Sequence, residues 1–156
     1  MSIVFSRIDD RLLHGQVVTT WLNVKQIEQV IIVNEDVAND TVRSKVLHMA
    51  APPTIKLHIF SPEKFIRVIK KNKMTRRTML IFSNPNDVET VINGGIEINE
   101  LNVGGMSGNK EREQITEAVS LTQDERECFR RLVNTGMEIY IQMVPSQNRI
   151  EMKDVL

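Results

Sequence analysis

Short apolar runs recur along the chain, and the segments between them have the period of an amphipathic helix. The apolar runs predict strands at residues 3–5, 30–33, 55–60, 78–82, 98–103 and 137–144. The intervening segments predict helices at residues 15–23, 40–49, 62–71, 86–92 and 122–135. Because strands and helices alternate, the pattern predicts an α/β fold with an open, mostly parallel sheet and helices on both faces.

Several helix boundaries also carry capping residues. Ser61 and Asn84 each precede a proline, so each supplies a side-chain acceptor at the N-cap with proline in the first turn. Thr122 and Glu125 have the spacing of a capping box, and Gly136 is a C-cap candidate for the same helix. These capping residues indicate the helix ends more precisely than hydrophobic periodicity does.

Length and composition narrow the class of protein. With 156 residues and 41% hydrophobic content, the chain fits one domain, residues 1–156, better than two. Its longest apolar runs are four to five residues, whereas a membrane-spanning helix needs roughly 20. Cys128 is the only cysteine and the N-terminus lacks a signal-peptide pattern, so we expect a soluble, cytoplasmic protein. Zero net charge and 4% aromatic residues argue against nucleic acid as a partner.

Charge is uneven in one segment only. Residues 63–77 contain seven Lys and Arg against one Glu, a local balance of +6. A solvated helix face and turn is the favoured interpretation. Docking to an acidic partner is the alternative.

The loop after the first strand carries the strongest chemical signal. In open α/β sheets, ligands bind beyond the carboxyl ends of the strands, and residues 6–16 follow such an end. Within them, His14 stands at the start of the next helix, where unpaired N–H groups favour an anion and a neutral imidazole. Neutral His14 is a nucleophile. Arg7 and Arg11 are planar donors suited to the phosphoryl group that it would accept.

Other residues of this loop have candidate supporting roles. Gly15 lacks the Cβ that would crowd a phosphate, and the amides of Gly15 and Gln16 are candidate phosphate ligands. Asp9 or Asp10 could orient an arginine or the imidazole ring. The alternative is structural: His14 as an ordinary half-buried residue, and the aspartates as turn and ion-pairing residues.

Outside this loop the chemical signals are weaker. Ser83 follows the strand at 78–82 and could reach the same ligand, although a helix-capping duty explains it equally well. Gly104 and Gly105 allow either close backbone approach or a simple turn. Trp21 is expected in the core. The other two histidines lack carboxylates at metal-ligand spacing, so no metal or other cofactor is predicted.

Residues 7–17, RIDDRLLHGQV, closely resemble the phosphorylation loop of the IIB components of the mannose/fructose/sorbose family of the bacterial phosphoenolpyruvate-dependent sugar phosphotransferase system. The resemblance continues along the chain in order. The matching segments are 50–53 (AAPP), 82–85 (FSNP), 101–106 (LNVGGM), 115–121 (ITEAVSL) and 142–145 (QMVP). An ordered series of this kind is more specific than any single motif.

The resemblance implies a function. Members of this family accept a phosphoryl group from a phosphohistidine of the IIA component and pass it to the sugar that the membrane IIC and IID components translocate. His14 matches the phosphorylated histidine, Arg7 and Arg11 its flanking arginines, and Gly15 and Gln16 the phosphate-loop amides. The resemblance also implies about seven strands, one of them antiparallel near an edge, and a IIA donor on a separate chain. Contact with the membrane would be peripheral, through these partners only.

One segment departs from the family pattern. Residues 106–112 differ from a stretch that is often richer in Arg or aromatic residues in relatives, so no docking role is predicted for them.

One alternative function stays open. It is a flavodoxin-like nucleotide or phosphate-binding module in which His14 never becomes covalent. A histidine phosphatase or mutase is disfavoured because Leu13 stands where those enzymes have Arg. The sugar is not predicted.

Overall fold

The structure is a computed structural model that describes residues 2–156, so Met1, the first residue of the predicted domain, lies outside the described residues. The strands are β1 (Ile3–Asp9), β2 (Gln29–Val33), β3 (Lys56–Phe60), β4 (Thr78–Phe82), β5 (Glu100–Gly105), β6 (Glu113–Gln114), β7 (Ser120–Leu121), β8 (Glu138–Ile141) and β9 (Ile150–Glu151). The helices are α1 (Gly15–Thr19), α2 (Trp21–Val24), α3 (Glu35–Ala38), α4 (Thr41–Ala50), α5 (Pro62–Lys71), α6 (Pro85–Asn93) and α7 (Gln123–Asn134), and a short 3-10 helix covers Met152–Asp154.

Seven strands form one sheet in the order β3-β2-β4-β1-β5-β8-β9. All its neighbours are parallel except β8 and β9, which pair antiparallel at one edge. The prediction of a mostly parallel sheet with one antiparallel strand near an edge is therefore confirmed. Strands β6 and β7 form a separate antiparallel ribbon. Because β1 lies between β4 and β5, the loop after β1 leaves the carboxyl edge near the middle of the sheet.

The predicted elements differ from the observed ones mainly where polar residues are buried. Strand β1 continues past residue 5 to Asp9, because Ser6, Arg7 and Asp9 are buried polar residues that interrupt the apolar pattern. The predicted helix 15–23 is two short helices that meet at Thr20, whose hydroxyl donates to the Gln16 carbonyl oxygen at 2.5 Å. A side-chain bond of this kind competes with the regular helix ladder.

The predicted caps are present. The side chains of Ser61 and Asn84 accept hydrogen bonds from the first turns of α5 and α6. Thr122 and Glu125 form the reciprocal capping box of α7. Gly136 follows that helix with φ of +94°, a left-handed conformation that glycine adopts without strain.

Helices cover both faces of the sheet, and each face has its own apolar core. One cluster includes Phe65 of α5 and Phe129 of α7, and the other includes Val17 of α1 and Trp21 of α2. Trp21 is buried and stacks on Phe5 with ring centroids 4.8 Å apart, which confirms its predicted core position. The two cores hold β1 rigidly from both sides.

The basic segment, residues 63–77, has the solvent exposure expected of a solvated helix face and turn. All seven cations of residues 63–77 are solvent-exposed along α5 and the turn that follows it. Within residues 2–156, no helix combines the length and the apolar character that a bilayer crossing requires.

Candidate phosphorylation site

The loop between β1 and α1, residues 10–14, is fixed by its own backbone. Leu12 has φ of +61°, and its amide donates to the Asp9 carbonyl oxygen at 2.9 Å. A left-handed leucine costs roughly 1–2 kcal/mol, which is offset because Leu12 and Leu13 are buried in the core. The turn places His14 in extended conformation as the N-cap of α1, with its side chain 18% exposed.

Asp9 contacts Arg7, Arg11 and His14 and so connects the charged residues of the site. Its side chain is completely buried, and Oδ2 lies 3.0 Å from His14 Nε2 and 3.1 Å from Arg7 Nη2. Its Oδ1 accepts a hydrogen bond from the Arg11 backbone amide at 3.0 Å. Of the two candidate orienting carboxylates, Asp9 is therefore the one that contacts the imidazole.

The charge state of Asp9 sets the tautomer of His14. Burial alone would raise the pKa of Asp9, but the hydrogen bond to His14 and the charge of Arg7 outweigh burial and hold that pKa below its ordinary value. An ionised carboxylate only accepts hydrogen bonds. We therefore assign the ring proton to Nε2, which donates to Asp9 and leaves the lone pair of neutral His14 on Nδ1.

Arg7 lies inside the protein. Nη1 donates to Asn102 Oδ1 at 2.6 Å and to the Gln142 carbonyl oxygen at 3.2 Å, while Nη2 donates to Asp9 and to the Met143 carbonyl oxygen. Its side chain is 0% exposed, and its hydrogen bond to Asp9 positions that carboxylate. The expected direct contact of Arg7 with a phosphate stays a prediction.

Gly104 makes room for this arginine. A Cβ at position 104 would lie 2.0 Å from Arg7 Cζ, far closer than any real contact. Both glycines of the pair lie within β5, so neither a turn nor a ligand contact explains Gly104. Sequence reasoning missed Asn102, Gln142 and this packing role. The partners of Arg7 are 95 and 135 residues away in the chain, so no local spacing pattern could have indicated them.

Arg11 has the position predicted for an anion-binding side chain. Its side chain is 51% exposed, and Nε approaches Asp9 Oδ1 at 3.3 Å. Its Nη2 lies 3.5 Å from Gln16 Oε1, at the outer side of the loop. The first amides of α1 have no side-chain cap from His14, and the space where a Cβ of Gly15 would lie is open within 4 Å. Arg11 and Gln16 thus contact each other, and both Arg11 and His14 contact Asp9.

Two other predicted residues lie outside this cluster. The Asp10 carboxylate accepts a hydrogen bond from the Ser107 amide at 2.7 Å and has no hydrogen bond to His14 among residues 2–156, so its orienting role stays a prediction. The Ser83 hydroxyl accepts from Asn34 and Asn84, so among residues 2–156 no hydrogen bond joins it to the loop. Its phosphate contact stays a prediction. The same part of the chain contains no group of three His, Cys, Asp or Glu side chains placed to hold a metal ion.

The lowered pKa of Asp9 predicts a loss of stability in acid. Because the folded-state pKa lies below the ordinary value of 3.8, the stabilisation is fully present above that value and is lost as pH falls through the folded pKa. We expect the free energy of unfolding, measured by urea titration from pH 6 to pH 2, to fall more steeply below about pH 4 in the wild type than in Asp9→Asn. Equal slopes in the two proteins would contradict the paired state of Asp9.

Comparison with known proteins places this site in a family. The family model for the PTS system sorbose subfamily IIB component matches residues 3–156. The sorbose-specific EIIB component of Klebsiella pneumoniae is 39% identical over 155 residues, which cover 99% of this chain and 94% of that protein. The mannose-specific EIIAB component of Escherichia coli K12 is 39% identical over 157 residues, and the chain spans 49% of its length.

Solved structures agree with these relatives. The crystal structure of the IIBSor domain of the Klebsiella pneumoniae sorbose permease superposes with a TM-score of 0.92 at 39% identity, covering 99% of this chain and 95% of that one. The manxB structure from Thermoanaerobacter tengcongensis gives a TM-score of 0.89 at 32% identity, over 98% and 93% of the two chains. Since the match extends through both the sequence and the fold, the chain belongs to the family of sorbose-subfamily IIB components of the phosphotransferase system.

Proposed function

We propose that this protein is a cytoplasmic phosphocarrier that receives a phosphoryl group on His14 and passes it to a sugar. The donor is the phosphohistidine of a IIA component, and the acceptor is the sugar that the membrane IIC and IID components translocate. One observation carries the proposal: the buried Asp9 carboxylate holds Nε2 of a partly exposed histidine and leaves Nδ1 free for attack. In this proposal residues 1–156 form a single phosphotransferase IIB domain.

The chemistry at His14 follows from the tautomer. The Nδ1 lone pair attacks the phosphorus, and the P–N bond to the donor histidine breaks. The donor ring keeps the proton on its other nitrogen, takes back the electron pair of the broken bond and leaves as a neutral imidazole. The new phosphoimidazole of His14 keeps its proton on Nε2 and gains positive ring charge, which the Asp9 carboxylate stabilises. Asp9 therefore both directs the nucleophile and stabilises its charged product.

The phosphoryl oxygens need positive charge on the outer side of the loop. Arg11 supplies a guanidinium there, and the amides of Gly15 and Gln16 supply hydrogen-bond donors. One such charge pair is worth about 4 kcal/mol at 4 Å and an effective dielectric constant of 20. The real contribution of Arg11 is smaller because its side chain is half exposed and screened by water. Positioning and charge stabilisation are the main contributions to phosphoryl transfer.

The second transfer reverses the first at the same nitrogen. A hydroxyl oxygen of the sugar attacks phosphorus, the P–N bond to His14 breaks, and Nδ1 recovers its lone pair. The hydroxyl proton leaves to a base in the acceptor complex or to water. Because the phosphoryl group lies at the exposed loop on the carboxyl edge of the sheet, the same face serves donor and acceptor in turn.

Transfer can be followed with isotopically labelled donor. We expect the wild-type protein, mixed with phosphorylated IIA component, to take up one phosphoryl group that is stable in base and labile in acid. On addition of membranes that contain IIC and IID, the label should move to one sugar from a panel of mannose, fructose, sorbose and amino sugars. Nucleotide binding without any incorporation of label would contradict the proposal and favour the non-covalent binding module.

A further inference from the structure

Asp10 connects the phosphorylation loop to a distant part of the chain. Its carboxylate accepts hydrogen bonds from Ser107 N at 2.7 Å and Ser107 Oγ at 3.3 Å, while its own amide donates to the Gly105 carbonyl oxygen at 3.1 Å. Ser107 begins the hairpin of residues 107–121, which contains β6 and β7. The residue just before Arg11 is thus held by the end of β5 and by the start of this hairpin.

Arg112 joins this contact to helix α7. Its Nη1 donates to the Ser107 carbonyl oxygen at 2.8 Å and lies 3.5 Å from Asp10 Oδ2. Its Nε and Nη2 form a bidentate pair with Glu125 Oε1 and Oε2 at 2.9 and 2.8 Å. The Arg112 side chain is only 14% exposed. A planar, two-bond pair of this kind fixes direction as well as distance.

Glu125 is a rigid anchor for this arginine. It is the third residue of α7, and Oε1 also accepts the Thr122 amide at 2.9 Å in the capping box. Its side chain is 9% exposed, and the following residues Cys128 and Phe129 are buried in the core. Contacts therefore run from a core helix through Arg112 to the Asp10 carboxylate of the phosphorylation loop.

We infer that Arg112 is a positioning residue of the phosphorylation loop, acting through Asp10 and Ser107. This inference deepens the proposed function and rests on it for its catalytic consequence. The Asp9 and Asp10 side chains hold the backbone just before Arg11 in place, and Arg112 fixes the position of Asp10. A shift of about 1 Å in such a loop can slow a reaction by as much as two orders of magnitude.

Charge balance gives Arg112 a second effect on the same reaction. Without it, Asp10 and Glu125 would be two carboxylates with no cation between them. Asp10 lies next to Arg11 in the chain, and a phosphoryl group on His14 brings further negative charge to this loop. Loss of Arg112 should therefore disfavour phosphorylation even where the loop keeps its shape.

The test replaces Arg112 by glutamine and measures two properties. Phosphoramidate serves as a small donor that needs no protein docking, and amide hydrogen exchange reports on the loop without any chemistry. We expect Arg112→Gln to lower the maximal labelling rate about tenfold at unchanged KM for phosphoramidate. Exchange of the Arg11 and Leu12 amides should be about tenfold faster.

Arg131 provides the matched control. Arg131 of α7 also forms a bidentate pair, with Glu89 of α6 at 2.8 and 3.0 Å, and among residues 2–156 neither member of this pair hydrogen-bonds to the phosphorylation loop. Arg131→Gln should label and exchange like the wild type at a similar melting temperature. Asp10→Asn should speed exchange of the Arg11 and Leu12 amides as Arg112→Gln does, and the double variant should exchange no faster, because both substitutions break one chain of contacts.

Each outcome decides the inference. Wild-type labelling and exchange in Arg112→Gln would overturn it, as would equal effects in Arg131→Gln. If Arg112→Gln unfolds, the variant Asp10→Asn, at a partly exposed position, decides in its place by amide exchange. If the wild type takes no label from phosphoramidate or IIA, the proposed function fails, whereas the exchange measurement still tests whether Arg112 holds the loop.

Discussion

Substitution of His14 by alanine should reduce phosphoryl incorporation to background. Among residues 2–156, His14 is the only histidine that hydrogen-bonds to Asp9, so no other imidazole replaces its Nδ1. The fold should survive, because the variant loses one hydrogen bond to a charged group, worth about 1.5–3 kcal/mol, while Arg7 and Arg11 still pair with Asp9. Incorporation is measured by intact-protein mass spectrometry after incubation with phosphorylated IIA component.

His48 provides a control for general effects of removing a histidine. It lies exposed on α4, where its ring contacts only the Ser44 carbonyl oxygen among the hydrogen bonds of residues 2–156. We expect His48→Ala to take up label at the wild-type rate. Retained label in His14→Ala, with its position mapped to another residue, would remove the basis of the proposed function.

Substitution of Gly104 by alanine should have the largest effect on stability. The new Cβ would lie 2.0 Å from Arg7 Cζ, and the guanidinium cannot move aside because four acceptors and the Trp21 ring surround it. If Arg7 is expelled, the buried Asp9 carboxylate loses its closest permanent cation. Breaking a buried pair in this way costs about 3–5 kcal/mol. The urea midpoint should fall accordingly, with little change in m-value.

The same substitution should also slow phosphorylation, because Asp9 would no longer hold His14 Nε2 in place. We expect a loss of about two orders of magnitude in labelling rate, measured at a temperature where the variant is still folded. Gly108→Ala is the matched control, since its Cβ would meet only the Ser120 side chain, at 3.4 Å from Oγ and 4.0 Å from Cβ. A Gly104→Ala protein with the wild-type urea midpoint would show that the Arg7 site relaxes at little cost.

Much of the fold was predicted from short-range sequence patterns. Apolar runs located the main strands, and the caps at Ser61, Asn84 and Thr122 located helix starts, because both signals act within a few residues. The short elements were missed: β6, β7 and β9 have only two residues each and α3 has four, too few to show a period. The β1 boundary was missed for a different reason, because its buried polar residues resemble a loop.

The sequence by itself determined the order of elements and indicated the family, and it singled out His14, Arg7 and Arg11 as the candidates for binding or carrying a phosphoryl group. Only the tertiary structure showed that Asp9 contacts the imidazole while Asp10 contacts Ser107, and that Arg7 is buried. It also assigned Gly104 to the space beside that arginine. These choices depend on strand register, which places residues about a hundred positions apart within 3 Å of each other. The spacing of residues along the sequence does not indicate that register.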